Sequence, residues 1–211
     1  MKLTSPLKYR KGQKTIISQP FGVNYEKYKH HGIKGHNGID FVNGNEMDCY
    51  GIGITAAHKG EVVALVATDP MSTYGNGVYI QEQEGDKLYK SVYWHLSKVL
   101  VKVGDNVSQG QLIGRMGNSG IVRPKPEIGR PYKGTHLHFG LYVYNKNGNG
   151  WVRSNTDYKG AVDPMPYFTD RTIAKHFKEQ LEKPSIERMS IVLAPILWAF
   201  KKFRIVFKGR L

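Results

Sequence analysis

Cysteine is nearly missing: Cys49 stands alone among 211 residues, so neither an internal disulfide framework nor a closed thiolate metal site can form. Acidic residues are scarce as well, 17 Asp and Glu against 31 Lys and Arg, which leaves a formal charge of +14. That balance favours anionic partners, whether nucleic acid, anionic lipid or a negatively charged cell wall. No nucleic-acid-binding motif accompanies the charge, so no nucleic acid is expected among the partners. Long apolar runs are lacking too. The apolar stretch at 189–200 is interrupted by Ser190 and Pro195, and it is too short for a bilayer-spanning helix, which needs about twenty residues. The opening Met1-Lys2-Leu3-Thr4-Ser5-Pro6 has a charge with no apolar stretch behind it, so no secretory signal peptide is visible.

What is present is β-strand patterning. Short apolar segments alternate with Gly, Asn and Asp turn signals from 38 to 145, and strands are expected at 38–42, 54–56, 60–67, 77–81, 90–95, 111–116 and 136–144. No run of ten or more residues there keeps a helical period, so a mainly β, antiparallel domain follows. Ahead of it, a short strand at 15–17 leads into a long loop that holds His30 and His31 among lysines. Asp163-Pro164 reads as the turn that closes the domain, setting a first unit at 1–170 and an extension at 171–211. The extension opens with a short helix capped by Asp170, with an apolar stripe of Ile173, Phe177 and Leu181. It contains ten Lys or Arg and three Glu, a net of +7. Its apolar and cationic residues side by side are suited either to an anionic membrane or wall surface or to a helix packed on another protein or on its own domain.

Histidines carry the chemical signal. Thr135-His136-Leu137-His138-Phe139-Gly140 reads as a strand in which His136 and His138 share one face and Leu137 and Phe139 the other. Two buried imidazoles on one face need partners for their ring nitrogens, and a shared metal or substrate supplies them. About a hundred residues earlier, His36-Asn37-Gly38-Ile39-Asp40 offers an imidazole and a carboxylate on a turn running into a strand. Two nitrogens and one carboxylate oxygen form the three-ligand, open set that catalytic zinc uses. A further histidine, His95, ends the strand Tyr93-Trp94-His95-Leu96. By simple alternation it shares a face with Tyr93, and Trp94 and Leu96 pack inward. His58 is expected to be structural in a turn, Cys49 a small structural residue in a loop, and Asn118 either a groove-shaping or an ordinary turn residue.

These elements resemble the lysostaphin/LytM-type zinc endopeptidases, metallopeptidase family twenty-three, which cut peptide bonds in bacterial peptidoglycan. The likeness rests on Gly35-His36-Asn37-Gly38-Ile39-Asp40-Phe41, Tyr93-Trp94-His95-Leu96-Ser97 and His136-Leu137-His138-Phe139. It extends to a glycine-marked scaffold from Thr55 to Val63, Tyr74 to Val78 and Val103 to Gly120, and covers roughly residues 15 to 165. The resemblance implies an antiparallel β-sheet groove of the duplicated hybrid motif type. It implies His36, Asp40 and His138 as ligands of one zinc ion per chain, His95 and His136 as unligated catalytic histidines, and an oxyanion-side tyrosine for which Tyr25 and Tyr28 are both open. It also implies a peptidoglycan peptide as substrate and action on the cell wall outside the cytoplasm, by phage-borne or non-classical delivery. Relatives lacking a ligand act as non-catalytic activators, and that is the alternative to activity here. A carrier-domain hammerhead at 103–114 would need an exposed modifiable lysine in a tight hairpin, which the segment lacks.

Overall fold

The computed structural model describes residues 1–8, 15–43, 46–66, 73–169 and 173. Twelve strands among them join in one antiparallel sheet: β1 (Leu7–Lys8), β2 (Ile16–Gln19), β3 (Ile39–Val42), β4 (Gly53–Thr55), β5 (Gly60–Val66), β6 (Asn76–Glu84), β7 (Lys87–Val99), β8 (Asn106–Val107), β9 (Leu112–Met116), β10 (Leu137–Asn147), β11 (Gly150–Arg153) and β12 (Ala161–Val162). The main path runs β1-β4-β9-β7-β10-β3-β2, with β6 and then β5 branching from β7. The antiparallel, mainly β expectation holds. Each expected strand is present, and β6, β7 and β10 extend beyond the expected limits.

Alternation builds the core. Ile39 and Phe41 of β3, Leu137, Phe139 and Leu141 of β10, and Tyr93 of β7 are fully buried on one face of the sheet. Phe139 meets Tyr93 at 5.3 Å, Phe168 at 5.7 Å and Phe41 at 6.5 Å between ring centroids. Each fully buried side chain of this kind contributes about 1.5–3 kcal/mol. That packing anchors the three strands whose opposite faces carry Asp40, His138 and Trp94.

β7 changes partners partway along. Lys87 to Trp94 pair with β10, whereas Leu96 to Val99 pair with β9. His95 sits at the switch with φ of 63°, in the left-handed region, which costs a non-glycine residue strain that surrounding structure must hold. The twist corrects the simple alternation: Tyr93 faces the core, where its hydroxyl oxygen accepts from the Ala57 amide N–H at 2.8 Å, while Trp94 turns to the His138 side and His95 follows it.

The helical elements with described bounds are short turns. α1 (Tyr25–Tyr28) and a 3-10 turn, Lys29–His31, occupy the expected long loop, and α2 (Glu46–Cys49) replaces the loop expected at Cys49, whose buried Sγ accepts the Asn43 amide at 2.9 Å. Among the described residues no helix is long and apolar enough to cross a membrane. The extension expected at 171–211, with its basic apolar segment, lies outside the described residues, Ile173 excepted.

Candidate metal centre

A single row of residues across the sheet assembles the site. The register sets Trp94 of β7 opposite His138 of β10, His138 opposite Asp40 of β3, and Asp40 opposite Gln19 of β2. Directly opposed residues share a face, so all four side chains stand on the side away from the phenylalanine core. His36 arrives from the loop before β3, where its backbone pairs with Gly22 and Val23.

His36 Nε2, His138 Nδ1 and Asp40 Oδ1 form a triangle with edges of 2.9 Å between the two nitrogens, 3.2 Å from His36 to Asp40 and 3.1 Å from His138 to Asp40. All three residues are buried. Hydrogen bonds fix which atoms carry lone pairs. His36 Nδ1 lies 3.1 Å from the Pro20 carbonyl, which can only accept, so Nδ1 holds the proton and Nε2 turns a lone pair to the triangle. The same logic applies at the two neighbouring histidines: His95 Nδ1 donates to the Ser119 carbonyl at 2.9 Å and His136 Nδ1 to the Gly134 carbonyl at 2.8 Å. Both therefore present Nε2. Their rings lie 4.6 Å apart, and His136 Nε2 is 3.9 Å from Asp40 Oδ2.

Converging lone pairs repel unless a cation sits among them. A tetrahedral ion with bonds of about 2.0–2.1 Å sets its donors roughly 3.3 Å apart, close to the observed edges. His138 supplies an independent sign: its Nε2 is buried with no hydrogen-bond partner. Turning Nδ1 to the triangle puts the proton on that orphaned nitrogen, a cost that a bound cation offsets. The residues fit a divalent metal ion, and among the described residues no other such group of His, Cys, Asp or Glu occurs.

Electrostatics agree with this geometry. Burial pushes the Asp40 carboxyl up, but His136, His36 and His138 outweigh it and hold the carboxyl well below the usual carboxylate range. Burial, helped by the neighbouring His136 and His138, lowers His95 to about 3. Burial likewise lowers His138 to about 4, against the pull of Asp40. The His95 and His138 imidazoles are thus held neutral, as lone-pair donors must be.

The structure brings together all five histidine and aspartate positions singled out from sequence and separates others from them. His58 lies elsewhere, buried against Ser91 at 2.7 Å, and His30 and His31 are not buried. Three contributors were not legible. Tyr28, rather than the exposed Tyr25, stands beside the triangle, its ring 5.5 Å from His36 and its hydroxyl accepting from Gln19 Nε2 at 2.8 Å. Burial and the Asp40 charge push its hydroxyl up to about 12. Trp94 stacks on His138, centroids 4.6 Å apart and planes 10° from parallel. Gly38 is the third: a Cβ there would lie 2.6 Å from the Phe139 carbonyl oxygen and 2.7 Å from His138 Nε2. The i+2 spacing from His36 to Gly38 was visible, but only the fold puts the glycine against the ring. Asn118 is resolved as well, donating to the Pro131 and Lys133 carbonyls and so holding the segment that leads into His136.

Comparison with known proteins follows the same residues. The profile of peptidase family M23 matches residues 34–150. The peptidoglycan DD-endopeptidase ShyA of Vibrio cholerae is 37% identical over 119 residues, covering 51% of this chain and 25% of its own length. Lysostaphin of Staphylococcus staphylolyticus is 34% identical over 138 residues, covering 64% of this chain and 23% of its own. The chain thus spans about a quarter of the length of these curated relatives. Among solved structures, a chain of the SpoIIQ-SpoIIIAH pore forming complex superposes with a TM-score of 0.50 at 20% identity, over 82% of this chain and 96% of that one, a likeness of fold. The profile match takes in β3 through β10 and every histidine and aspartate of the row, over more than half of the sequence: the chain belongs to peptidase family M23.

Proposed function

We propose that the chain is a zinc-dependent endopeptidase that hydrolyses peptide bonds in bacterial peptidoglycan cross-links, acting outside the cytoplasm. The observation that carries this is the triangle of His36 Nε2, Asp40 Oδ1 and His138 Nδ1 with two further Nε2 atoms, from His95 and His136, on the same face. Peptidoglycan endopeptidases among the relatives support the substrate class.

His36, Asp40 and His138 would hold the ion through those three atoms, a nitrogen-rich open set that suits zinc over magnesium or calcium. When bound, zinc supplies Lewis acidity, polarising a carbonyl and bringing the pKa of water towards about 7. His95 and His136 move the protons: an Nε2 lone pair accepts one from the attacking water and returns it to the leaving amine. The one of the two that is protonated donates to the developing oxyanion. Tyr28 adds a second donor. Its oxygen already accepts from Gln19 Nε2, so its own proton is left to point at substrate, and its raised pKa keeps that proton in place.

Mass spectrometry of purified peptidoglycan incubated with the zinc-loaded full chain tests the proposal. New amino termini at the cross-links are expected, absent with His138→Ala. Murein left intact by the metal-replete chain would overturn it.

A further inference from the structure

Beyond the metal row, the same sheet face continues along β10 and β7. Tyr142 and Tyr144 follow His138 at intervals of four and six, so they stand on its face, and Lys90 is directly opposite Tyr142. Gln81 of β6 lies on the other side of Lys90, and Tyr79 is two positions from Gln81. The result is an aromatic strip. Tyr74 and Tyr79 lie 4.2 and 6.2 Å from Trp94, the Tyr142 hydroxyl accepts from Asn37 Nδ2 at 3.0 Å, and Tyr144 closes the far end. Tyr79, Tyr142 and Tyr144 are half-buried, so their rings are reachable from solvent.

Lys90 is the anomaly on this strip. It is half-buried on an interior strand, between two uncharged cross-strand neighbours, and its ammonium rests 5.7 Å from the centroid of the Tyr144 ring. Among the described residues it makes no ion pair. The other half-buried lysine among the described residues, Lys133, pairs with Glu127 at 2.9 Å. A lysine held by a ring quadrupole and flanked by hydroxyl and amide groups, with no carboxylate supplied by the described residues, is arranged to receive one.

We infer that Lys90, with Tyr142 and Tyr144, forms a subsite for a free carboxylate carried by the substrate peptide. The inference rests on the peptidase reading and adds to it a substrate class. The distance sets the place of the carboxylate. Four residues of strand separate His138 from Tyr142, roughly 13 Å at about 3.4 Å per residue. An extended peptide rises by a similar amount per residue, so the carboxylate lies about four residues' length from the scissile bond. Surrounding aromatic surface lowers the local dielectric and strengthens the ammonium–carboxylate attraction.

The test compares two cross-linked muropeptide dimers that differ only in whether the stem-peptide carboxylates are free or amidated. With the zinc-loaded full chain, KM is expected to be about ten-fold lower for the free acid, at similar kcat, and the preference to shrink as salt is raised. Lys90→Met should bring the two KM values to within about two-fold of each other, and Lys90→Arg should preserve the preference; thermal melts establish that both variants are folded. Binding of the same pair, followed by tryptophan fluorescence, separates the two readings. If neither dimer is cut but the free acid binds more tightly in a Lys90-dependent way, the subsite stands and the peptidase reading falls. Cleavage of both dimers with equal KM, unchanged in Lys90→Met, overturns the subsite and leaves the peptidase reading intact. Loss of both cleavage and binding preference overturns both.

Discussion

Trp94 lies flat against His138, its ring plane 10° from that of the imidazole and 4.6 Å away, because the β7–β10 register sets the two directly opposite. Stacking fixes the angle at which Nδ1 meets His36 and Asp40, and a ring held this way loses no rotamer freedom on binding metal. Trp94→Ala should therefore weaken zinc affinity about ten- to a hundred-fold while His36, Asp40 and His138 all remain. It should also destabilise the fold by about 3–5 kcal/mol, because Trp94 is buried. Trp94→Phe keeps a flat ring there and should retain most of the affinity. Competition titration with a chromogenic chelator reads the first effect, and urea denaturation the second.

Gly38 bounds the same imidazole elsewhere. The methyl of Gly38→Ala would meet a backbone oxygen at 2.6 Å and the His138 ring at 2.7 Å, and the backbone contact cannot be relieved by a rotamer change. Overpacking of this kind costs about 1–3 kcal/mol, and the ring is the softer of the two neighbours. His138 should be displaced from the triangle, so the variant is expected to fold yet bind zinc at least ten-fold more weakly. Native zinc affinity in a folded Gly38→Ala chain would show that the close approach does not position the ring.

Legibility in the sequence followed the regularity of the backbone. Strands of five residues or more, such as those around Val62, Ile80 and Phe139, reveal themselves through alternation and bounding turn residues, whereas β11, four residues after Asn147-Gly148-Asn149, reads as loop. β1, β8 and β12, two residues each, are too short to show a period. The site was legible because Asp40 and His138 sit on regular strands, His136 forms an isolated bridge directly before β10, and His36 closely precedes β3. Tyr93 and Trp94 were assigned to the wrong faces for a single reason: their faces were counted from His95, and the left-handed turn there, where β7 exchanges β10 for β9, resets the alternation. Tyr28 could not be told from Tyr25 because both precede His36 in a segment without strand pairing, and the folded contacts of Tyr28 with His36 and Gln19 distinguish them.

His58 gives the fold a dependence on pH that is separate from the metal row. Its Nδ1 donates to the Lys59 carbonyl at 2.6 Å, leaving Nε2 to accept from Ser91 Oγ at 2.7 Å. Burial lowers its pKa, partly offset by the Lys59 carbonyl and Glu82. In the unfolded chain His58 takes up its proton near pH 6.5, and in the folded chain only at lower pH. Between the two the unfolded state binds more protons, so stability is fully present above about pH 6.5 and declines as pH falls towards the lowered folded value. Urea midpoints measured at pH 7.5 and 5.5 should fall for the native chain and fall less for His58→Gln. Equal decreases would mean that His58 is not the neutral, buried acceptor described here.

Metal removal separates the residues that would hold zinc from those that would move protons. A ligand that binds only the folded state stabilises it by about 2.7 kcal/mol when present at a hundred times its dissociation constant. Chelation should therefore lower the melting temperature of the native chain, and added zinc restore it together with hydrolysis. His138→Ala and Asp40→Asn each remove one corner of the triangle, so their melting temperatures should hardly respond to zinc. His95→Ala should behave differently. His95 has no atom in the triangle, and its Nδ1 is already committed to the Ser119 carbonyl, so the variant should keep the zinc-dependent stabilisation while losing peptidoglycan hydrolysis by about a hundred-fold or more. Thermal melts with and without zinc, run beside a turbidity assay on purified murein, read both quantities on one set of variants. If His95→Ala loses its response to zinc, His95 supports the metal and the division of labour fails; if it keeps full hydrolysis, His95 carries no proton.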